Sequence, residues 1–295
     1  MNHAPIRCNR CCRVVSSYVA DYTDALLECL LRRKTGNMSR WKRCNMWKTI
    51  ERILPWRFTP EGIAHRAVVA GTRLTVASGP FAGLKYVLKA HGSCLPPKLI
   101  GCYERELHPV FAALKTAPVD VLIDVGAAEG YYAVGMVVAG MAERSVAFEA
   151  DPNGVALLRD LAERNGVTDR VTVRGWCSPT DLQKELTVHV GRRVLLIVDV
   201  EGAEDDLLDP IVVPATRTAE ILVELHDFFV PGVTDRIRQR FALTHNITRF
   251  EQTPRTEADN PYRSWLVRQL PARYRTDVVS EKRPGPMHWF WMQPK

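Results

Sequence analysis

Residues 121–135 read VLIDVGAAEGYYAVG. Apolar residues run into Asp124, the chain passes through small residues, and an apolar stretch then resumes. The pattern predicts a strand, a tight turn and a helix that can follow from Glu129. The turn Asp124-Val125-Gly126-Ala127-Ala128-Glu129-Gly130 has glycine at two of the three places customary in a cofactor-cradling turn, and Ala128 at the middle one. Gly126 lets the chain turn, and Gly130 lets the next helix pack closely. Nineteen residues after Gly130, Glu149 ends a second apolar run. A carboxylate placed there can accept two hydrogen bonds from a ribose diol.

The same rhythm extends outward. VDVLIDVG, SVAFEA, VTVRGWC, VLLIVDVE and EILVELHD are five short runs rich in Val, Ile and Leu, separated by helical patterns. Alternation of this kind implies a parallel sheet with crossover helices, its strands buried on both faces. In DPNGVALLRDLAERNG, Asp151 fits a cap, Pro152 the first turn and Asn165-Gly166 the stop. SPTDLQKEL opens on a cap-like serine, and GAEDDLL and VTDRIRQRFAL read as further helices. ITRFEQ and MHWFWMQPK are two more strand candidates, joined by a polar connection with a helical patch near Ser264–Leu270. Ahead of the core, RLTVAS and LKYVL flank GPFAG as a hairpin would. Leu99, Tyr103, Leu107, Phe111 and Leu114 recur at helical spacing over residues 99–115, a helix that Pro109 would kink or split.

At 295 residues, 46% apolar and 25% charged, the chain has room for one large domain with extensions and a sizeable core. No apolar run approaches membrane-spanning length, and residues 1–20 lack the apolar segment of a secretory signal. Their three arginines and missing acids faintly resemble a transit peptide. The net charge of +7 is uneven: residues 1–60 hold twelve Lys/Arg against four acids, and the remainder is close to neutral. We therefore divide the chain into a basic extension (1–58), an N-terminal hairpin and helix (59–117) and a core domain (118–295). The extension, with a plausible amphipathic helix over Val14–Arg33, is a solvated tail or an arm for an anionic surface. Of eight cysteines, Cys8, Cys11 and Cys12 cluster near His3, but without a second ligand pair at finger-like spacing they do not make a zinc site. Scattered free thiols suit a reducing, cytoplasmic setting.

Two cofactor types compete for the turn. A dinucleotide needs the middle glycine so that its pyrophosphate can approach the backbone, and Glu129 would repel that group. A sulfonium cofactor carries no phosphate, tolerates Ala128 and Glu129, and favours an acid such as Asp124 near its amino-acid end. That points to S-adenosylmethionine. Taken together, IDVGAAEGYYAVG, AFEADP, IVDVEGAEDDLLDP and ILVELHD resemble a class I methyltransferase of the FkbM-like family, DVEGAE being the most specific segment. The resemblance covers residues 118–295 well, the preceding segment more loosely, and residues 1–58 not at all. It implies a Rossmann-like α/β fold: a seven-stranded sheet in the order 3-2-1-4-5-7-6, the last strand antiparallel, with helices on both faces and an N-terminal helical and hairpin extension. It also implies O-methylation of a natural product or sugar.

On that resemblance, Asp124, Gly126, Ala127, Ala128, Glu129, Gly130 and Tyr131 line the cofactor from its methionine end. Glu149 holds the ribose, Ala150 and Asp151 lie beside the adenosine, Trp176 and Cys177 border the adenine, and Asp199 faces the transferred methyl. Trp176 reads equally well as a core residue. For catalysis, strand alternation places Asp199 and Glu201 on one face and Glu224 and His226 on another. His226 is the natural base near neutral pH, and Asp199 or Glu201 orients the acceptor. Glu201 and Glu204 can alternatively cap the next helix. The same carboxylates could hold Mg2+, hard cations preferring oxygen. DVEG lacks the proline and aromatic that would stack a flipped base, which disfavours an amine on nucleic acid. Tyr103 and His108 are candidate acceptor contacts, and Lys282-Arg283 a candidate anion contact. The expected acceptor is a small-molecule or glycan hydroxyl. The alternatives are a protein or RNA methyltransferase that uses the basic arm, and a cofactor-binding module without catalysis.

Overall fold

The computed structural model describes residues 55–261, 265–283, 285 and 287–295. Contacts divide the chain into two units, Met1–Pro60 and Glu61–Lys295. Of the first, the described part is a short 3-10 turn, Trp56–Phe58, and its flanks. The helix expected over Val14–Arg33 and the cysteine cluster lie outside the described residues.

The second unit is built on seven strands: β1 (Val119–Val125), β2 (Ala142–Phe148), β3 (Val171–Arg174), β4 (Val194–Val198), β5 (Glu220–Leu225), β6 (His245–Glu251) and β7 (His288–Pro294). Their order is β3-β2-β1-β4-β5-β7-β6. β1 to β5 are mutually parallel, and β7 runs antiparallel to both β5 and β6. The fold expected from the sequence is therefore the fold observed. The central strands β4 and β5 are buried at every position, as Val/Ile/Leu runs covered on both faces must be. Edge strand β6 is exposed at four of its seven positions.

Ten helices accompany the strands among the described residues: α1 (Pro60–Thr72), α2 (Leu95–Ile100), α3 (His108–Thr116), α4 (Tyr131–Val138), α5 (Pro152–Arg164), α6 (Pro179–Val188), α7 (Glu204–Leu207), α8 (Val233–Phe241), α9 (Trp265–Arg268) and α10 (Ala272–Asp277). α4 to α8 are the crossovers. The Asp151 carboxylate caps α5 by accepting from the Asn153 N–H, and Ser178 with Asp181 forms a capping box on α6.

Two expectations ahead of the core are corrected. The segment 99–115 is not one helix. Gly101 ends α2 in a left-handed conformation (φ 87°), Glu104 is left-handed too (φ 46°), and a 3-10 turn, Arg105–Leu107, precedes α3. Pro109 sits in the first turn of α3, where its missing N–H costs nothing, so it starts the helix and does not kink it. The expected hairpin contracts to one antiparallel bridge, Thr75–Lys85, because Arg73 and Leu74 take positive φ and leave the extended region. No helix among the described residues is long and apolar enough to cross a membrane.

Candidate functional site

Strand order reverses between β1 and β4, and the turns that leave these strands meet there. Gly126 has φ 85°, and a Cβ on it would lie 1.8 Å from the Asp199 carbonyl oxygen. The N–H groups of Gly126 and Ala127 both donate to the Phe148 carbonyl at 3.0 Å, which ties the turn to the end of β2. Gly130, φ 92°, precedes α4, and a Cβ there would press on Leu158 of α5 at 2.9 Å, so the close packing expected of it is present. Asp124 is buried, and its Oδ2 has no hydrogen-bond partner. Burial, reinforced by the Asp199 charge, pushes its carboxyl up to about 7, against a backbone hydrogen bond from Ala133.

Glu149 stands immediately after β2. Its Oε2 accepts the Ala128 N–H at 2.7 Å and its Oε1 the Asp151 N–H at 2.7 Å. Each oxygen keeps a second lone pair. A Cβ on Gly154 would meet the Glu149 Cγ at 2.8 Å, so that glycine makes room for the carboxylate. Two cavities share Gly126, Glu149 and Val200 as walls. One, of about 280 Å³, is bordered by Ala127, Ala128, Tyr131, Tyr103, Asp199 and Glu201. The other, of about 160 Å³, lies among Phe148, Ala150, Trp176 and Cys177. Trp176 is 71% exposed, so it is a wall of this cavity and not a core residue. Asp151 borders neither; it caps α5 and lies 3.6 Å from His91.

Glu129 also borders neither cavity. Its fully buried carboxylate is held by the Tyr86 hydroxyl and Lys98 Nζ, both at 2.6 Å, and by the His91 N–H at 3.0 Å. Burial raises its pKa, but the Lys98 charge and these hydrogen bonds outweigh it and hold the group below its ordinary value. Glu129 thus anchors the segment 86–98 instead of facing a ligand. Lys98, so neutralised, lies 4.8 Å and 5.1 Å from the ring centres of Tyr103 and Tyr131.

The catalytic candidates separate into two layers. Asp199, just after β4, borders the larger cavity with 28% of its side chain exposed. Glu201 is exposed and left-handed (φ 49°), three residues beyond the end of β4, so strand alternation does not govern it, yet it borders the same cavity as Asp199. His226 and Glu224 do converge, with Nε2 3.4 Å from Glu224 Oε2, but His226 is wholly buried and borders neither cavity. An acceptor in the cavity would meet Asp199 first, with His226 Nε2 3.8 Å behind Asp199 Oδ1. The expectation that His226 itself meets the acceptor is corrected on that ground.

No protein-family model and no curated protein matches the chain. Solved structures similar to it include an O-methyltransferase from Bacillus cereus in complex with SAH, at 11% identity, 85% of this chain, 97% of that one and a TM-score of 0.41. Another is an rRNA methylase from Streptococcus thermophilus, at 8% identity, 65% and 97% coverage and a TM-score of 0.43. A third is the B. subtilis m1A22 tRNA methyltransferase, at 8% identity and a TM-score of 0.39, matched over 61% of this chain and 63% of its own length. Their names are methyltransferase names, and their substrates are diverse. The sheet order carries the fold without them.

Behind Asp199, His226 and Glu224 belong to a polar cluster whose other pairings, through Glu204, Arg283 and Glu104, sequence reasoning missed. Glu204, expected at most to cap α7, accepts the Gly202 N–H at 3.0 Å and also bonds His226 Nδ1 at 2.5 Å. Burial lowers the His226 pKa, but the Glu204 hydrogen bond and the Asp199 charge reverse the sign and raise it. Glu224 pairs with Arg283, which also bonds Glu104 at 2.6 Å and Glu281 at 2.8 Å. Arg255 joins Glu281 to Glu106 at 2.6 and 2.8 Å. Arg283 is therefore committed to buried carboxylates, and Lys282, half exposed, pairs with Glu61. Tyr103 borders the larger cavity and His108 does not.

Proposed function

We propose that the chain is an S-adenosylmethionine-dependent methyltransferase of the FkbM-like type, acting on a hydroxyl of a small molecule or glycan. The observation that carries this is the junction of the two cavities at Gly126 and Glu149, at the point where strand order reverses. The residues present suit the cofactor. Glu149 keeps a free lone pair on each oxygen for a ribose diol, and the smaller cavity between Phe148 and Trp176 suits a flat base; Asp124, fully buried, borders neither cavity. When bound, S-adenosylmethionine supplies a methyl carbon made electrophilic by its sulfonium.

The chain's own part is alignment and proton handling. Asp199 orients the acceptor hydroxyl and takes its proton on a carboxylate oxygen. Burial raises the Asp199 pKa while His226 and Arg283 draw it back, which leaves a base stronger than an ordinary aspartate. His226, oriented by Glu204, supports the charge on Asp199. Glu201 stands at the rim and selects among acceptors. Cys94, Cys102 and Cys177 are free thiols, so a reducing, cytoplasmic setting belongs to the same proposal.

Titration calorimetry with S-adenosylmethionine and S-adenosylhomocysteine tests it. Binding is expected for the native chain, weakened at least about tenfold in Glu149→Gln, which keeps the shape but lacks the charge, and lost in Glu149→Ala. Absence of binding by the native chain, or unchanged affinity in a folded Glu149→Ala, would overturn the reading.

A further inference from the structure

We propose that the end of the sheet opposite the candidate site docks on an anionic membrane surface, with Val190, Ile211 and Leu243 entering the headgroup layer and Arg192, Arg217 and Lys295 meeting its phosphates and carboxylates. This docking face does not depend on the methyltransferase reading, because it lies at the other end of every strand. β1 to β5 are parallel and β7 is antiparallel to β5 and β6, so the connections that enter β4, β5 and β6 gather at one end together with Lys295. At about 3.3 Å per residue, the five residues of β4 hold this end roughly 17 Å from the strand ends that carry the cavities. Its parts are tied to one another. Arg193 pairs with Glu220 at 2.9 Å, His245 Nε2 donates to the Ala219 carbonyl at 2.9 Å, and the Lys295 N–H donates to the Thr244 carbonyl at 3.0 Å. The Ala215 N–H donates to Gln183 Oε1 of α6 at 3.0 Å, which joins the connection into β5 to the helix before β4.

Two observations point to a lipid surface. The first is apolar. Val188, Val190, Ile211, Val212 and Leu243 stand exposed on these connections, Ile211 at 84% and Leu243 at 89%. Among the described residues, every large exposed aliphatic side chain except Leu88 lies at this end of the sheet. Single exposed aliphatics are ordinary, but a group gathered at one end marks an interaction surface. The second is charge. Every exposed charged side chain on residues 188–193, 209–218 and 242–245 is a cation, and Lys295 adds another. Asp209, the acid on these segments, is half-buried and lies 3.6 Å from Arg240. Among the described residues no carboxylate pairs with Arg192, Arg217 or Lys295. The Arg217 guanidinium and Lys295 Nζ are held by the Pro210 and Ala242 carbonyls, which fix the charges in place without cancelling them.

Aliphatic side chains flanked by cations suit an anionic bilayer, where the first enter the headgroup boundary and the second meet its negative potential. A second copy of the chain suits this face less, because a two-fold contact would set these cations against their own copies. Nucleic acid would meet the cations but leave the aliphatic group unused: base stacking calls for aromatic rings, and residues 188–193, 209–218 and 242–245 contain no Phe, Tyr or Trp. No helix among the described residues can span a bilayer, so the protein would lie on the surface, with the cavities facing away from it.

Co-sedimentation of the full chain with vesicles tests the docking face. Binding is expected to vesicles of phosphatidylcholine mixed with phosphatidylserine, far less to phosphatidylcholine alone, and should weaken as salt rises. The double variant Arg192→Gln/Arg217→Gln should lose about 30-fold in vesicle affinity, roughly fivefold per charge. Val190→Ser/Ile211→Ser should lose at least about tenfold with every cation kept. All four side chains are exposed, so both variants should keep the native urea midpoint. Three results would overturn the proposal: no binding to the mixed vesicles, binding unchanged in either double variant, or variants that keep the vesicles while losing single-stranded RNA binding or self-association. The second would assign the affinity to another part of the chain, and the third would give this face to a different partner. Calorimetry with S-adenosylmethionine on the same variants should show unchanged affinity, which separates the fate of this face from that of the cofactor site.

Discussion

Ala128 holds a left-handed backbone, φ 49°, at the place where a three-glycine turn carries its middle glycine. In this conformation its N–H donates to Glu149 Oε2 at 2.7 Å. An L-residue with a Cβ pays about 1–2 kcal/mol for that region, and glycine's larger loss of backbone freedom returns part of the difference. Ala128→Gly is therefore expected to raise unfolding stability by about 0.5–1 kcal/mol, read from the urea midpoint, with calorimetric cofactor affinity kept. A drop in stability would mean that the Ala128 methyl makes packing contacts worth more than its strain. Other single residues were opaque in the sequence for a stated reason. Glu204 follows a turn and precedes α7, so it reads as a cap; its second partner, His226, is 22 residues away and no local pattern announces it.

At the scale of elements, the five parallel strands were legible because burial on both faces forces continuous Val/Ile/Leu runs, and β6 and β7 fell where their aromatic and β-branched residues suggested. The caps of α5 and α6 were legible because capping chemistry is local. The helix drawn over 99–115 failed because its apolar spacing survives the break: Leu99, Leu107, Phe111 and Leu114 are all buried, yet Gly101 and Glu104 interrupt the backbone between them. Gly126 is the opposite case, where the sequence understated the demand. It was read as a turn residue, but the tighter constraint is the approach of the Asp199 carbonyl, 1.8 Å from where a Cβ would stand. That contact is backbone against backbone and cannot relax by rotamer change. Gly126→Ala should therefore push the ends of β1 and β4 apart and add the cost of positive φ, a loss of about 3 kcal/mol or more. Chemical denaturation should show the midpoint falling far more than in Ala128→Gly, and cofactor binding should be lost with it. A midpoint within about 0.5 kcal/mol of the native chain would mean that the strand ends stand farther apart in solution.

At the scale of the whole molecule, segments distant in sequence meet through buried charge. Glu104 and Glu106 precede α3, Arg255 follows β6, Glu281 and Arg283 precede β7, and Glu224 lies in β5. Such pairing is set by tertiary topology, so the sequence could mark Glu224 as a catalytic candidate and Arg283 as an anion contact but could not pair them with each other. The network has a consequence for pH. Burial pushes the Asp124 carboxyl up to about 7, and burial pushes Glu104 up to about 8, with Arg283 opposing and Glu281 assisting. Both groups hold protons in the folded state that the unfolded chain has released. The folded state thus binds more protons than the unfolded one, and stability falls as pH rises through these values. His226, also raised, acts in the same direction. His108, His245 and His288 are lowered by burial and act oppositely, but only at and below their ordinary value of 6.5. The clean window therefore runs from about pH 6.5 to about pH 8: there Glu104 contributes a slope on the order of 1 kcal/mol per pH unit, whereas the Asp124 slope halves at about pH 7 and vanishes above it. The urea midpoint of the cofactor-free protein should fall across that window. Asp124→Asn, which is neutral at every pH, should show a shallower fall and should match or exceed the native protein at the alkaline end. A midpoint that rises with pH, or an equal slope in Asp124→Asn, would show that Asp124 is already ionised in the fold and paired with a charge that the orphaned Oδ2 conceals.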